Sequence, residues 1–415
     1  MDVTITPRPL RGSVTPPPSK SQAHRLLLAA ALSDGVSLVS NVAFSQDIRA
    51  TLSCVEALGA SWEEISPGCL RITGLMGPGG RPRRPFGQLP HLHCGESGST
   101  LRFLIPVALA VAGGGIFTGR GRLMERPQEP YRDLFLQRGI RWEQRDGVLT
   151  VEGRLKPGTY ALPGDVSSQF FTGLLYALPL LSGESLLEST TPLESEGYIS
   201  MTLEALDAFG VVAAERREGL PAFRIRPSAY ASRSCRVEAD WSQAAFWYAA
   251  QGLGCRLDVD GLDPASTQGD RRIFPYSLRL RSPGTVELDV SQCPDLVPAL
   301  AAQAALRAGE TTRIVNAARL RIKESDRLSA VTAALGGLGA QIEEGPDSLA
   351  IHGVSALRGG TAESFNDHRI AMMLAVAATR AEGPVTVRGA ECVAKSYPNF
   401  WEDYEALGGQ IVRSN

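Results

Sequence analysis

The sequence predicts an α/β protein of two domains, each made of three similar units that keep apolar helices inside and sheets outside. Three observations lead there. The chain has 415 residues, 43% hydrophobic and 21% charged, which suits two sizeable cores better than one very large one. Amphipathic helices that end on a glycine and run into a short strand recur along it. A second, more apolar helix precedes each of them.

Met1 to Ser13 is polar and strand-like. Pro16, Pro17 and Pro18 then hold the backbone extended, since each fixes its own φ and biases the residue before it away from the helical region. Ser19, Lys20 and Ser21 follow, and the apolar run Leu26 to Leu32 reads as a buried helix stopped at Gly35. A lysine and two hydroxyls thus fall at a helix N-terminus, where free amides and the helix dipole favour an anion. An ordinary serine cap after a proline-rich loop is the plainer reading. Further buried helices begin near Ser99, Ser168, Ser242, Asp295 and Asp367.

Their amphipathic partners are Asp47 to Ala60 leading into Ser61 to Ile65, Pro130 to Gly139 into Ile140 to Gln144, and Tyr198 to Gly210 into Val211 to Ala214. Ser325 to Ala340 leads into Gln341 to Glu343, and Phe400 to Gly409 into Gln410 to Val412. Repeating units at a spacing of roughly 65 to 70 residues account for most of the chain. The fourth is the least regular, with Ser266 to Leu280 where its second helix belongs. The weakest join lies at Arg226 to Ala239, where small and polar residues separate a strand from the fourth unit. A solenoid is the alternative, but the period is long and no capping repeats are visible.

A net charge of −2 gives no global attraction to nucleic acid or acidic lipid, so any anion site must be built locally. No stretch reaches the length that spans a bilayer and no leader is visible, so a cytoplasmic enzyme is the default expectation. Seven cysteines without C-x-x-C spacing read as reduced and structural. All but four of the 42 basic residues are arginine, the exceptions being Lys20, Lys156, Lys323 and Lys395. A chain so biased keeps lysine where arginine cannot serve, and only lysine can release and recover a proton. Lys156, in the turn Leu155-Lys156-Pro157-Gly158, is read as a solvated surface charge.

The other chemical segments also sit at helix starts. Gly95-Glu96-Ser97-Gly98-Ser99-Thr100-Leu101-Arg102 is a glycine-rich turn whose amides suit a phosphate with Arg102 as counter-charge; it is no Walker loop. Arg126 precedes a helix-starting proline. Ser167, Ser168 and Gln169 read as a polar helix start, or simply as a cap. Ser195 and Tyr198, Cys293-Pro294-Asp295 and Phe365-Asn366-Asp367-His368-Arg369 do likewise, and Ala394-Lys395-Ser396 supplies the last lysine. In Lys323-Glu324-Ser325-Asp326-Arg327 the lysine and arginine are four apart, on one face of a helix with Glu324 beside them. His91, His93 and Cys94 lack a partner cluster for a metal and read as strand residues. No Gly-x-Ser-x-Gly elbow appears. Two highly anionic small molecules in a cleft between domains fit this pattern, with Asp295, Glu324 and the lysines available for proton transfer.

In the order and approximate spacing of Lys20-Ser21-x-x-x-Arg25, Arg126-Pro127, Ser167-Ser168-Gln169, Lys323-Glu324-Ser325-Asp326-Arg327 and Asn366-Asp367-His368-Arg369, the chain resembles the 5-enolpyruvylshikimate-3-phosphate synthase family. The resemblance implies a two-domain inverse α/β barrel with three βαβαββ-like repeats per domain. One domain would be residues 1–15 plus 240–415 and the other 16–239, with the active-site cleft between them. It implies transfer of the enolpyruvyl group of phosphoenolpyruvate to the 5-hydroxyl of shikimate 3-phosphate, by addition and elimination with release of phosphate.

By the same resemblance, shikimate 3-phosphate contacts Lys20, Ser21, Arg25, Ser167, Ser168, Gln169, Ser195, Tyr198, Asp295, Arg319 and Lys323. Phosphoenolpyruvate contacts Lys20, Gly98, Arg126, Gln169, Arg327, Arg369 and Lys395. Asp295 is the candidate base, and Glu324 with Lys20 or Lys395 the candidate acid. Glyphosate competes around Gly98 in that family. Glu96 and Ser97 stand where many members have Asn-Ala, Phe103 replaces a common proline, and Arg319 stands where asparagine is frequent. Neither metal nor organic cofactor is implied, and the expected partners are the two substrates alone, with no nucleic acid, no membrane and a monomeric chain. The alternatives are a UDP-N-acetylglucosamine enolpyruvyl transferase of the same fold and a non-catalytic anion-binding or RNA-binding repeat protein.

Overall fold

The computed structural model describes residues 1–77, 80–83, 87–216 and 219–414. The chain divides into two compact units: an inserted unit, Pro18–Glu238, and a terminal unit, Met1–Pro17 with Ala239–Asn415.

In the inserted unit six helices alternate between core and surface: α1 (Lys20–Ala31), α2 (Gln46–Ala57), α3 (Gly98–Ala112), α4 (Glu129–Gln137), α5 (Ser168–Ala177) and α6 (Glu196–Ala208). The odd-numbered ones are buried. Each starts where a serine side chain accepts a free amide of the first turn: Ser19 from Gln22, Ser97 from Thr100, Ser167 from Gln169. Helix α3 ends on Gly113, whose φ of 75° is the left-handed stop that glycine adopts without strain. The even-numbered helices bury one face only. On α2 that face is Ile48, Leu52 and Val55 with Asp47 and Thr51.

One topology repeats around these helices. Strand His91–His93 leads through α3 into Gly114–Thr118, which pairs with it in parallel; α4 and the hairpin Arg141–Arg145/Val148–Glu152 then add two antiparallel strands. Thr159–Leu162, Ser185–Ser189, Ala213–Arg216 and Ala222–Ile225 repeat it around α5 and α6. In the first repeat the parallel partner of Val36–Ser40 is Ser234–Arg236, from the far end of the unit.

The terminal unit holds α7 (Trp241–Gly252), α8 (Ile273–Arg279), α9 (Val297–Ala304), α10 (Arg327–Gly337), α11 (His368–Ala378) and α12 (Phe400–Ala406). Every residue of α11 is buried, as expected of a core helix that is apolar all round. Val286–Asp289, Thr311–Val315, Leu349–His352 and Gln341–Glu344 form one complete sheet. The last repeat is completed by the N-terminus, for Asp2–Thr6 lies antiparallel between Val385–Arg388 and Gln410–Ser414. The irregular fourth repeat has only Arg11–Val14 paired with Arg256–Val259. Next to it the buried Arg307 guanidinium gathers the carbonyls of Leu280, Ser282 and Gly284.

Two local expectations shift. Helix α10 begins at Arg327, not Ser325, because the Asp326 carboxylate caps it by accepting from the Ser329 amide at 3.3 Å; Lys323 is extended and lies off the helix. Asp295 sits in a 3-10 turn, Pro294–Leu296, just ahead of α9.

Helices α3 and α5 cross closely at Gly173. A Cβ there would lie 2.4 Å from the Arg102 carbonyl oxygen and 2.4 Å from the Tyr131 hydroxyl. Alanine improves helix propensity by at most about 1 kcal/mol, whereas forcing a methyl into backbone costs about 1–3 kcal/mol. Gly173→Ala is therefore expected to lower the urea midpoint of unfolding, and an unchanged or raised midpoint would contradict this packing.

Candidate active site

The inserted unit gathers the first turns of its helices through polar bonds. Lys20, the first residue of α1, points its Nζ at Asp47 Oδ2 of α2, 2.7 Å away. Sequence reasoning missed Asp47; its signal was a carboxylate on the apolar face of an otherwise regular outer helix, which needs a cation beside it. Arg25, one turn along, is buried. Its Nε donates to Thr202 Oγ1 at 2.9 Å, Nη1 to the Ser21 carbonyl at 2.7 Å and Nη2 to the Tyr198 carbonyl at 2.9 Å. Its guanidinium also lies over the rings of Phe103 and Tyr198. Burial lowers it to about 10, with Tyr176 and Tyr198 opposing. Arg25 thus ties α1 to α6 and fixes Ser21 and Tyr198 against one another. Ser195 holds a left-handed backbone, φ 56°, directly before α6, a strain that non-glycine residues keep only where the surroundings impose it.

Gly98 opens α3 under Arg126. A Cβ on Gly98 would meet Arg126 Nη1 at 2.7 Å, so the missing side chain is the seat of that guanidinium. Arg102 is not a counter-charge for a ligand as its sequence context suggests. It is buried, donating from Nη1 to Gln169 Oε1 at 2.8 Å and from Nη2 to the Pro127 carbonyl at 2.9 Å. Ser167 caps α5, Ser168 is buried beside it, and Gln169 Nε2 donates to Ser99 Oγ at 3.0 Å. Behind Gly98 a chain of hydroxyls runs from His24 Nδ1 through Thr51 and Thr100 to Ser97, each link 2.7 Å.

In the terminal unit the cations converge on carboxylates. Arg327, with 1% of its side chain exposed, donates from Nε to Asp367 Oδ2 at 2.7 Å, from Nη1 to Asp295 Oδ1 at 2.8 Å and from Nη2 to Glu324 Oε2 at 2.6 Å. Lys323 Nζ lies 3.3 Å from Asp295 Oδ1, and Arg369 Nη2 lies 3.3 Å from Asp295 Oδ2. Burial by itself would raise the Asp295 carboxyl, but Arg369, then Lys323 and Arg327, hold it well below the usual range. Burial lowers the Lys323 ammonium, against the pull of Asp295. Lys395 is buried at the end of a 3-10 turn and donates to the Asn366 carbonyl at 2.7 Å. Phe365 and Asn366 are both left-handed there. Arg319 donates to the Ser291 carbonyl. Arg321, not singled out in the sequence, locks the Lys323 loop by ion pairs to Asp326 and Glu344, each 2.9 Å. Asp270 was also missed. It is buried near Asp295 and Arg369, and burial, reinforced by Asp295, pushes it up to about 6.

The remaining candidates are plain. His91 and His93 lie in a strand, and His93 Nδ1 pairs with Thr118 Oγ1 at 2.9 Å. Cys94 is fully buried, and burial pushes its thiol well up, which leaves no reactive thiolate on this loop. Among the described residues no group of three or more His, Cys, Asp or Glu is arranged to hold a metal, and no helix is long and apolar enough to cross a membrane.

The family model of EPSP synthase (3-phosphoshikimate 1-carboxyvinyltransferase) matches residues 5–404. The chain is 46% identical over 430 residues to the 3-phosphoshikimate 1-carboxyvinyltransferase of Clostridium kluyveri, covering 99% of this chain and 98% of that protein. It is 43% identical to that of Clostridium perfringens over 427 residues, with 98% of each chain covered. Among solved structures, EPSP synthase from Acinetobacter baumannii superposes with a TM-score of 0.79 at 24% identity and full coverage of both chains, a likeness of fold.

A carboxyl raised from about 4 to about 6 binds its proton more tightly folded than unfolded, so its ionisation reduces stability as pH rises through that window. Asp270→Asn removes this effect. The stability of the variant relative to the parent is expected to rise between about pH 4 and 6 in chemical denaturation at stepped pH, and a flat difference would show that Asp270 does not titrate there.

Proposed function

Because this chain belongs to the EPSP synthase family, we propose that the polar side chains described above bind phosphoenolpyruvate and shikimate 3-phosphate. The reaction is transfer of the enolpyruvyl group of phosphoenolpyruvate to the 5-hydroxyl of shikimate 3-phosphate, with release of phosphate. It is a step of the shikimate pathway towards aromatic amino acids. The convergence of Lys323, Arg327 and Arg369 on Asp295, with Glu324 on the same guanidinium, is the observation that carries the assignment of roles.

In this reading Asp295 takes the proton of the attacking hydroxyl. A carboxylate held low by three cations is a weak base, but an incoming phosphate and carboxylate would share those cations and so return basicity to it. Glu324, with Lys20 or Lys395, delivers a proton to the methylene carbon in the addition; in the elimination the same groups take a proton back from that carbon as its neighbour's C–O bond to phosphate breaks and phosphate leaves. Arg126 and Arg369 offer planar forks to the phosphoenolpyruvate carboxylate and phosphate. Arg327 has one N–H on Nη1 beyond its bonds to Asp295, Glu324 and Asp367, so it serves chiefly to set the two acid–base carboxylates. Ser21, Ser167, Ser168, Ser195 and Tyr198, with Arg25 behind them and Lys323 and Arg319 from the terminal unit, are proposed for shikimate 3-phosphate.

Incubation with both substrates is expected to release inorganic phosphate, and no release from folded protein at any pH between 5 and 9 would overturn the reading. Asp295→Asn should cut kcat at least about a hundredfold, the range of a lost general base, in protein that circular dichroism shows to be folded. Gly98→Ala is expected to push Arg126 aside and raise KM for phosphoenolpyruvate without altering the melting temperature. Inhibition by glyphosate should weaken more than substrate binding; equal weakening would count against placing both at Gly98.

A further inference from the structure

We propose that Arg102 is a positioning residue that makes Gln169 turn a hydrogen-bond donor, and not an acceptor, towards the phosphoenolpyruvate anion. This rests on the placement of Gln169 beside phosphoenolpyruvate given above. A guanidinium carries donors only, and Nη1 of Arg102 lies 2.8 Å from one terminal atom of the Gln169 side chain, which must therefore be the carbonyl oxygen. The amide nitrogen then faces the other way. One of its two hydrogens goes to Ser99 Oγ at 3.0 Å, and the second is left for a ligand.

Ser99 cannot make this choice itself, because a hydroxyl accepts as readily as it donates. An amide turned over by half a rotation would set NH2 against the guanidinium, donor against donor, and would show the ligand an oxygen. Arg102 can enforce the choice because it is itself immobile. Its Nη2 is held by the Pro127 carbonyl at 2.9 Å, its guanidinium lies 4.8 Å from the centre of the Phe170 ring, and the Tyr131 hydroxyl reaches both the Arg102 and Phe170 carbonyls. Arg102 is 2% exposed and has no route to the ligand of its own. An anion-binding site thus gains a donor whose orientation is set from inside the protein.

Steady-state kinetics on Arg102→Met, Gln169→Leu and the double variant test this. Arg102→Met is expected to raise KM for phosphoenolpyruvate about tenfold, the worth of one hydrogen bond to a charged group, and KM for shikimate 3-phosphate, which the family resemblance also places against Gln169, by clearly less. In the Gln169→Leu background the same change should add less than about twofold, since the amide it orients is gone. A parallel rise in both Michaelis constants, an unchanged one, or a full additional tenfold effect in the double variant would overturn the inference. Gln169→Leu alone leaving KM for phosphoenolpyruvate unchanged would instead overturn the placement of Gln169. Should Arg102→Met not fold, Gln169→Glu in the parent chain asks the same question: it presents an acceptor by construction and should exceed the Gln169→Leu effect about tenfold. An equal or smaller effect would refute the requirement for a donor.

Discussion

A guanidinium almost wholly removed from water has to be neutralised where it stands, and the terminal unit is arranged around that necessity at Arg327. Three carboxylates from three different segments meet it: Asp295 ahead of α9, Glu324 in the loop before α10 and Asp367 at the cap of α11. Removing any one would leave buried charge uncompensated, which is far more costly than an exposed ion pair. Because two of the partners, Asp295 and Glu324, are also the groups proposed for proton transfer, one electrostatic requirement bears on both the joining of the helix starts and the spacing of the acid–base pair. Ser325 adds a further bond to Asp367 at 2.9 Å, and Arg321 fastens the same loop from the surface.

The inserted unit solves the same problem with fewer charges. Its ionic contact at the helix starts, Lys20 with Asp47, is accompanied by neutral bridges: the hydroxyl chain from His24 to Ser97, and the Arg25 and Arg102 forks, which end on carbonyls, hydroxyls and an amide. Burial and the neighbouring Lys20 and Arg25 keep His24 well below its ordinary range, so this chain stays uncharged at working pH.

Much of this was legible from residue order. Apolar periodicity and glycine stops located the alternating helices, and short polar segments at helix starts pointed to Lys20, Ser167 and Asp367, because capping and anion binding draw on the same free amides. What could not be read was which polar side chains turn inward. Arg102 stands one turn into a glycine-rich start, as a phosphate ligand would, and only the crossing of α3 and α5 decides that it faces Gln169 instead. Lys323 and Arg327 have helical spacing, yet Asp326 captures the cap and leaves Lys323 off the helix. Asp47 shows only a carboxylate on an apolar helix face and Asp270 no local signature at all, since their importance comes from partners 27 and 25 positions away or through space. Likewise the strands that complete the first and last repeats are borrowed from distant chain, beyond the reach of any window along the sequence.

That borrowing bears on how the molecule is made. The inserted unit is one uninterrupted run whose ends meet at the bond from the Ser19 amide to the Glu238 carbonyl, 2.7 Å long, so its whole sequence is made before most of the terminal unit is translated. The strand Asp2–Thr6 has both of its neighbours at Val385–Arg388 and Gln410–Ser414. It must wait for them while the roughly four hundred residues between are made, and is among the last strands to find its place.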